Sequence, residues 1–181
     1  MLSKHMTHTY PPVVVVDEND HVIGTAMLAD VWQRGLYHRI AAVFVFDDRG
    51  RMLLQRRGPD VKVYPNCWDQ AAGGHVDAGQ SYETTAANEL AEELDVHDVN
   101  LTAMGTYRSN SQDGEHVINQ FERIFKTVLP QGAVVNPELT ELAEVRWFTP
   151  TELQRLVAAQ PGDCTPGLLY DLQHYFPEFW P

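Results

Sequence analysis

Glu89, Glu92 and Glu93, in the stretch NELAEEL, carry the strongest chemical signal in the chain. Between Val63 and Tyr107 there is no Lys or Arg, while eight acids fall there: Asp69, Asp77, Glu83, Glu89, Glu92, Glu93, Asp95 and Asp98. A helix over this stretch would end in partial negative charge, where each added carboxylate costs roughly 0.3–1 kcal/mol. Carboxylates three or four residues apart also repel one another. On a wheel of about 100° per residue, Glu93 falls at about +40° from Glu89 and Glu92 at about −60°. Ala87, Leu90, Ala91 and Leu94 take another arc, so the three carboxylates are expected to project together, away from the core. A solvated acidic face is the ordinary explanation for such a trio. Against it, no Lys or Arg lies three or four residues from any of the glutamates, and Gly73, Gly74 and Gly79 come just before them. Glycines let backbone approach a ligand closely. A hard divalent cation such as Mg²⁺, which binds few carboxylates together with phosphate oxygens, supplies the missing positive charge.

The elements that must hold these residues are legible from pattern. VVVVD reads as a strand, turned through Glu18–His21 into VIG, and residues 26–34 as a short helix closed by Gly35. RIAAVFVFDDRGRMLLQRR is a hairpin with Asp47–Gly50 as its turn. GPDVKVYPN is a loop, and CWDQAA a short strand entering the paired glycines. Ser81 is the expected N-cap of a helix reaching Leu94. Strands are expected near 101–109 and 116–128, separated by a polar loop SNSQDGE, and again at AEVRWF. Thr149 and Pro150 open a further helix, and a last one is expected over 166–175. Strands and helices mix without strict alternation, which points to a mixed sheet between helices.

Bulk properties narrow the function. With 181 residues, 44% hydrophobic and 21% charged, the chain is expected to form one globular domain over 13–181 after a flexible tail over 1–12. A net charge of −12 argues against nucleic acid polymers as partners. Two cysteines are too few for a disulfide framework, and no apolar run suits a signal core or a membrane span, so a soluble cytoplasmic protein is expected.

The segment from Gly74 to Val96 resembles the Nudix box: Gly, five residues, Glu, seven residues, then Arg-Glu-apolar-any-Glu-Glu-any-Gly-apolar. Gly74, Glu89, Leu90, Glu92, Glu93 and Val96 match; Gln80, Asn88 and Asp95 stand where the pattern has Glu, Arg and Gly. HRIAAVFVFDDRGRMLLQRR and EVRWFTPTEL are also similar to Nudix domains, so the likeness covers about residues 13–160. It implies an α/β (α+β) fold, a Nudix-type α/β/α sandwich with a mixed sheet. It also implies a metal-dependent hydrolase of a diphosphate linkage in a small molecule, with Mg²⁺ or Mn²⁺ held by Glu89, Glu92, Glu93 and the Gly73 carbonyl. Homodimers are common in the family. Gln80 loses a charge, and Asn88 loses a cation that steadies the neighbouring glutamates, so weak catalysis or a nucleotide-sensing role is the alternative.

The N-terminal third and VYPNCWDQAAGGH also resemble isopentenyl diphosphate isomerases. There the catalytic Cys directly precedes the Gly-His pair, where this chain has Gly73, and the Glu-any-Glu motif becomes Ile118, Asn119 and Gln120. His38 and His75 match metal-binding histidines of those enzymes, yet the rest of that machinery is missing, so hydrolysis is the better reading. The likeness also implies that Arg57 and Lys62 hold diphosphate charge. The general base is Glu89 in some family members and a loop acid in others, which makes Glu138, Glu141 and Glu144 further candidates. Nothing in the sequence separates a nucleotide from a prenyl diphosphate.

Overall fold

The computed structural model describes residues 11–140 and 142–181. Most of the expected tail, and the candidate base Glu141, lie outside the described residues. Nine strands form one mixed sheet: β1 (Val13–Val16), β2 (Val22–Ala26), β3 (Tyr37–Phe46), β4 (Met52–Arg57), β5 (Trp68–Asp69), β6 (Ala72–His75), β7 (Thr102–Asp113), β8 (His116–Val128) and β9 (Leu142–Phe148). The helices are α1 (Leu28–Arg34), α2 (Tyr82–Leu94), α3 (Pro150–Ala159) and α4 (Pro166–Tyr175).

Strand β3 organises the sheet. Along one edge it pairs in parallel with β8 over its whole length, Tyr37 to Phe46 against Asn119 to Val128. Its other edge is shared in turn by β1 at His38, β6 over Ile40–Val43 and β4 at Val45–Phe46, all antiparallel. Because β4 meets β3 only at its start, the sheet forks: β4 carries β5 and β9 away while β6 stays on β3. The stretch expected as one strand, CWDQAA, therefore divides. Its first part pairs with β4 and its second with β3, and the chain crosses the fork between them. The expected loop SNSQDGE is mostly strand as well, since β7 runs to Asp113 and only Gly114 and Glu115 turn. Its polar side chains are used across the strand: Asn110 donates to Asn119 at 2.7 Å and Tyr37 at 2.8 Å, and Asp113 accepts the Tyr64 N–H at 2.8 Å.

Alternation along β3 sends its residues to two cores. Ala41, Val43 and Val45 join Leu90, Leu94 and Ala86 beneath α2. Ala42, Phe44 and Phe46 join Leu153, Leu168, Leu172 and Phe176 beneath α3 and α4. The caps explain the helix limits. Ser81 accepts from the Thr84 N–H at 3.2 Å, and Asp95 ends α2 in a left-handed conformation (φ 55°) that Asp tolerates better than most side chains. Thr149 and Glu152 form a reciprocal capping box that opens α3.

Candidate active site

The carboxylates do not project as a trio. Glu92 is exposed, where its charge helps raise the Asp77 carboxyl, an effect second to burial. Glu89 and Glu93 instead turn toward β6, against Gly73 and Gly74. The Glu93 carboxylate accepts the Gly73 N–H at 3.1 Å. A Cβ at Gly74 would collide with the carboxylate of Glu89, so only glycine leaves room for it there. The wheel omits this because β6 has no Cβ at these two places, which lets helix α2 and its side chains settle onto bare backbone.

Burial, then the charge of Glu89, drives the Glu93 carboxyl well above its ordinary range; the Gly73 N–H and Arg57 act the other way. Two half-buried carboxylates set side by side favour a proton or a cation between them. That demand, with hard oxygen donors, fits a divalent ion at Glu89 and Glu93. Among the described residues no group of three or more His, Cys, Asp or Glu stands ready as a full ligand set.

Arg57, at the end of β4, arrives from across the fork. Its Nε donates to the Val63 carbonyl at 3.0 Å and its Nη1 to Asp69 at 3.2 Å. Asp69 is itself fixed by the Thr165 hydroxyl at 2.7 Å, which also caps α4. Burial pushes the Asp69 carboxyl up, while Arg57 and Thr165 oppose the shift. Arg57, exposed Lys62 and the glycines Gly73 and Gly74 all line one cleft of about 1040 Å³.

The loop acids fare differently. Glu138 is exposed with its N–H on the Glu93 carbonyl at 2.9 Å, and Glu144 is exposed, its side chain 3.9 Å from Arg56. Neither lines the cleft, although their neighbours Leu139, Thr140 and Leu142 do. Gln80 is turned inward, accepting from the Thr85 hydroxyl at 3.0 Å, and Asn88 is exposed. His75 lies on β6 and stacks on His38 with ring centres 5.1 Å apart. Burial lowers both imidazoles, His38 to about 4, and the Nε2 of His38 has no hydrogen-bond partner. Cys67 does not line the cleft; its Sγ lies 3.8 Å from the Gly162 carbonyl.

Sequence reading missed an acidic group that does line the cleft. Glu122 on β8 is buried and lines it, its Oε2 accepting from Tyr107 and from Gln120, each at 3.0 Å. Burial, then the charge of Asp69, raises it to about 7. Asp171 on α4 is buried nearby, both oxygens without a donor, and burial beside Glu122 holds it well above the carboxylate range. An acid at a strand position whose neighbours alternate toward a core was the available signal.

The NUDIX domain family matches residues 36–166. The chain is 34% identical over 160 residues to an isopentenyl-diphosphate delta-isomerase of Nocardia farcinica, covering 87% of this chain and 90% of that protein. It is 30% identical over 142 residues to an uncharacterized Nudix hydrolase of Nostoc sp., covering 77% and 80%. In fold it is similar to a crystal structure from Deinococcus radiodurans, with a TM-score of 0.67 and 24% identity over 82% of this chain and 90% of that one. Fold and site together define a Nudix-type mixed α+β protein. The chain belongs to the Nudix family, on its hydrolase side. No helix among the described residues is long and apolar enough to cross a membrane.

Proposed function

We infer that the chain hydrolyses a diphosphate linkage in a small molecule, a nucleoside diphosphate derivative or a related compound. The observation that carries this reading is the Glu89–Glu93 pair packed on Gly73-Gly74, with Arg57 acting on Glu93 at the edge of the cleft. Glu89 and Glu93 would hold Mg²⁺ or Mn²⁺, with Glu92 and the Gly73 carbonyl as further oxygen ligands. When bound, the ion neutralises phosphate oxygens and lowers the pKa of a water. Arg57, its Nε and Nη1 fixed by Val63 and Asp69, presents the remaining guanidinium edge to a phosphate, and Lys62 adds a mobile charge. Asp69 and Thr165 keep that guanidinium in place. We take Glu89 as the proton acceptor because it packs against Gly74, which lines the cleft; Glu89, Glu138 and Glu144 are themselves outside the lining. The two unpaired cysteines suit a cytoplasmic setting.

The test is turnover of a panel of diphosphates with Mg²⁺ or Mn²⁺. Glu89→Gln and Glu93→Gln are each expected to lower kcat by at least about a hundredfold. Turnover that persists in EDTA, or that ignores both substitutions, would refute the reading. Identity to the Nocardia isomerase favours one other reading, isomerisation of isopentenyl diphosphate. Gly73 in place of the isomerase thiol, and Cys67 outside the cleft lining, weigh against it.

A further inference from the structure

We propose that Glu122 receives a hydroxyl group of the substrate's organic part, so that the cleft prefers a hydroxyl-bearing diphosphate over a hydrocarbon one. This rests on the diphosphate-hydrolase reading and names the substrate class for it. Both donors that reach Glu122, the Tyr107 hydroxyl and the Gln120 amide, go to Oε2. They fix the carboxyl plane and leave Oε1 without a donor among the described residues. Oε1 is not among the sealed, partnerless atoms, whereas both oxygens of Asp171 are. A side chain only 3% exposed thus holds one oriented acceptor in the wall of an open cleft.

Register sets its distance from His75, two residues beyond Gly73. His75, Ile40 and Glu122 are paired side by side across β6, β3 and β8, and all three line the cleft. Two strand spacings amount to roughly 10 Å. A diphosphate held at Arg57 and Gly73-Gly74 would share one cleft with Glu122, within reach of its substituent. Strand β7 adds Ser109 to the cleft lining. A hydroxyl there would donate to Oε1, while a hydrocarbon would strip water from Oε1 and return nothing. Met27, Leu28 and Trp32, which also line the cleft, are apolar and would suit a hydrocarbon, so the lining makes opposite demands.

Calorimetric binding of three probes in Mg²⁺ separates them: ribose 5-diphosphate, isopentenyl diphosphate (each with a methylene bridge to prevent turnover) and methylenediphosphonate itself. In the wild-type protein the ribose probe is expected to bind about tenfold to a hundredfold more tightly than the isopentenyl probe of equal carbon number. Glu122→Gln should cut that preference about tenfold and leave methylenediphosphonate unchanged; Tyr107→Phe should reduce it in the same direction. Equal binding of the two five-carbon probes, or tighter binding of the isopentenyl one, overturns the proposal while the phosphate site stands. A Glu122→Gln loss shared equally by all three probes overturns it too, by placing Glu122 at the phosphate end. If methylenediphosphonate itself fails to bind, the hydrolase reading falls and this proposal with it.

Discussion

Gly74→Ala tests the packing that creates the carboxylate pair. The new methyl group would collide with the carboxylate of Glu89, with its second oxygen 3.0 Å away. Gly74 sits mid-strand on β6, paired with Ala41, so the backbone has little freedom to retreat. The helix is equally fixed, since Leu90 beside Glu89 is fully buried. The side chain of Glu89 must therefore swing away. Overpacking of this kind costs about 1–3 kcal/mol, a fall in Tm of roughly 2–12 °C for a chain of this size. Displacing a ligand through its neighbour should lower divalent-metal affinity about 10–100-fold. Gly24→Ala is the control, because nothing lies within 4 Å of a Cβ there, and it should change neither quantity. Adding Glu89→Ala to Gly74→Ala removes the collision, so the pair should recover about 1–2 kcal/mol relative to additive losses while metal binding stays weak. Thermal melts with and without Mg²⁺, with calorimetric metal titration, read both effects. Gly74→Ala that melts and binds Mg²⁺ like the parent, or a double variant with no recovery, would refute the reasoning.

Other outcomes follow from the same geometry. Arg57→Ala leaves Asp69 buried without its ion-pair partner and should cost up to about 3 kcal/mol in urea unfolding, with KM for a diphosphate rising more than kcat falls. Stability should depend on pH in two opposed ways. Glu122, raised from 4.5 to about 7, gives stability that is full below pH 4.5 and fades as pH rises through 7. His38, lowered from 6.5 to about 4, gives stability that is full above pH 6.5 and is lost as pH falls through 4. Glu122→Gln should therefore stabilise the fold at pH 8 relative to pH 4, by on the order of 3 kcal/mol at most, and His38→Gln should act on the acid side instead. Cys67→Ala should leave hydrolysis within about twofold, since the thiol does not line the cleft, and proton NMR should detect no conversion of isopentenyl diphosphate to its allylic isomer.

Local signals carried the helices well. Ser81, Thr149 with Pro150, and Asp95 each mark an end that capping chemistry alone explains. The Asp47–Gly50 turn is equally local, with Gly50 at φ 75°. What a linear reading could not supply was the fork. Trp68–Asp69 and Ala72–His75 pattern alike, and only the competition of β4 and β6 for the edge of β3 divides them. The same fork brings Arg57 toward Glu93, which the sequence separates by a long stretch without bases. The trio became a pair for a related reason: a helical wheel records angles but not the bare backbone of Gly73 and Gly74 waiting opposite. Glu122, Tyr107, Asp69 and Asp171 belong to no motif. They come together because β8, β7, β5 and α4 converge beside the cleft, a long-range consequence of sheet order.

Divalent-ion uptake at Glu89 and Glu93 bears most directly on the central claim. Calorimetric titration of the full chain with Mg²⁺, and separately Mn²⁺, should give saturable binding that vanishes in the Glu89→Gln/Glu93→Gln double variant while its fold, read by thermal melting, persists. Absence of uptake in the parent chain, or uptake that survives in the double variant, would contradict it.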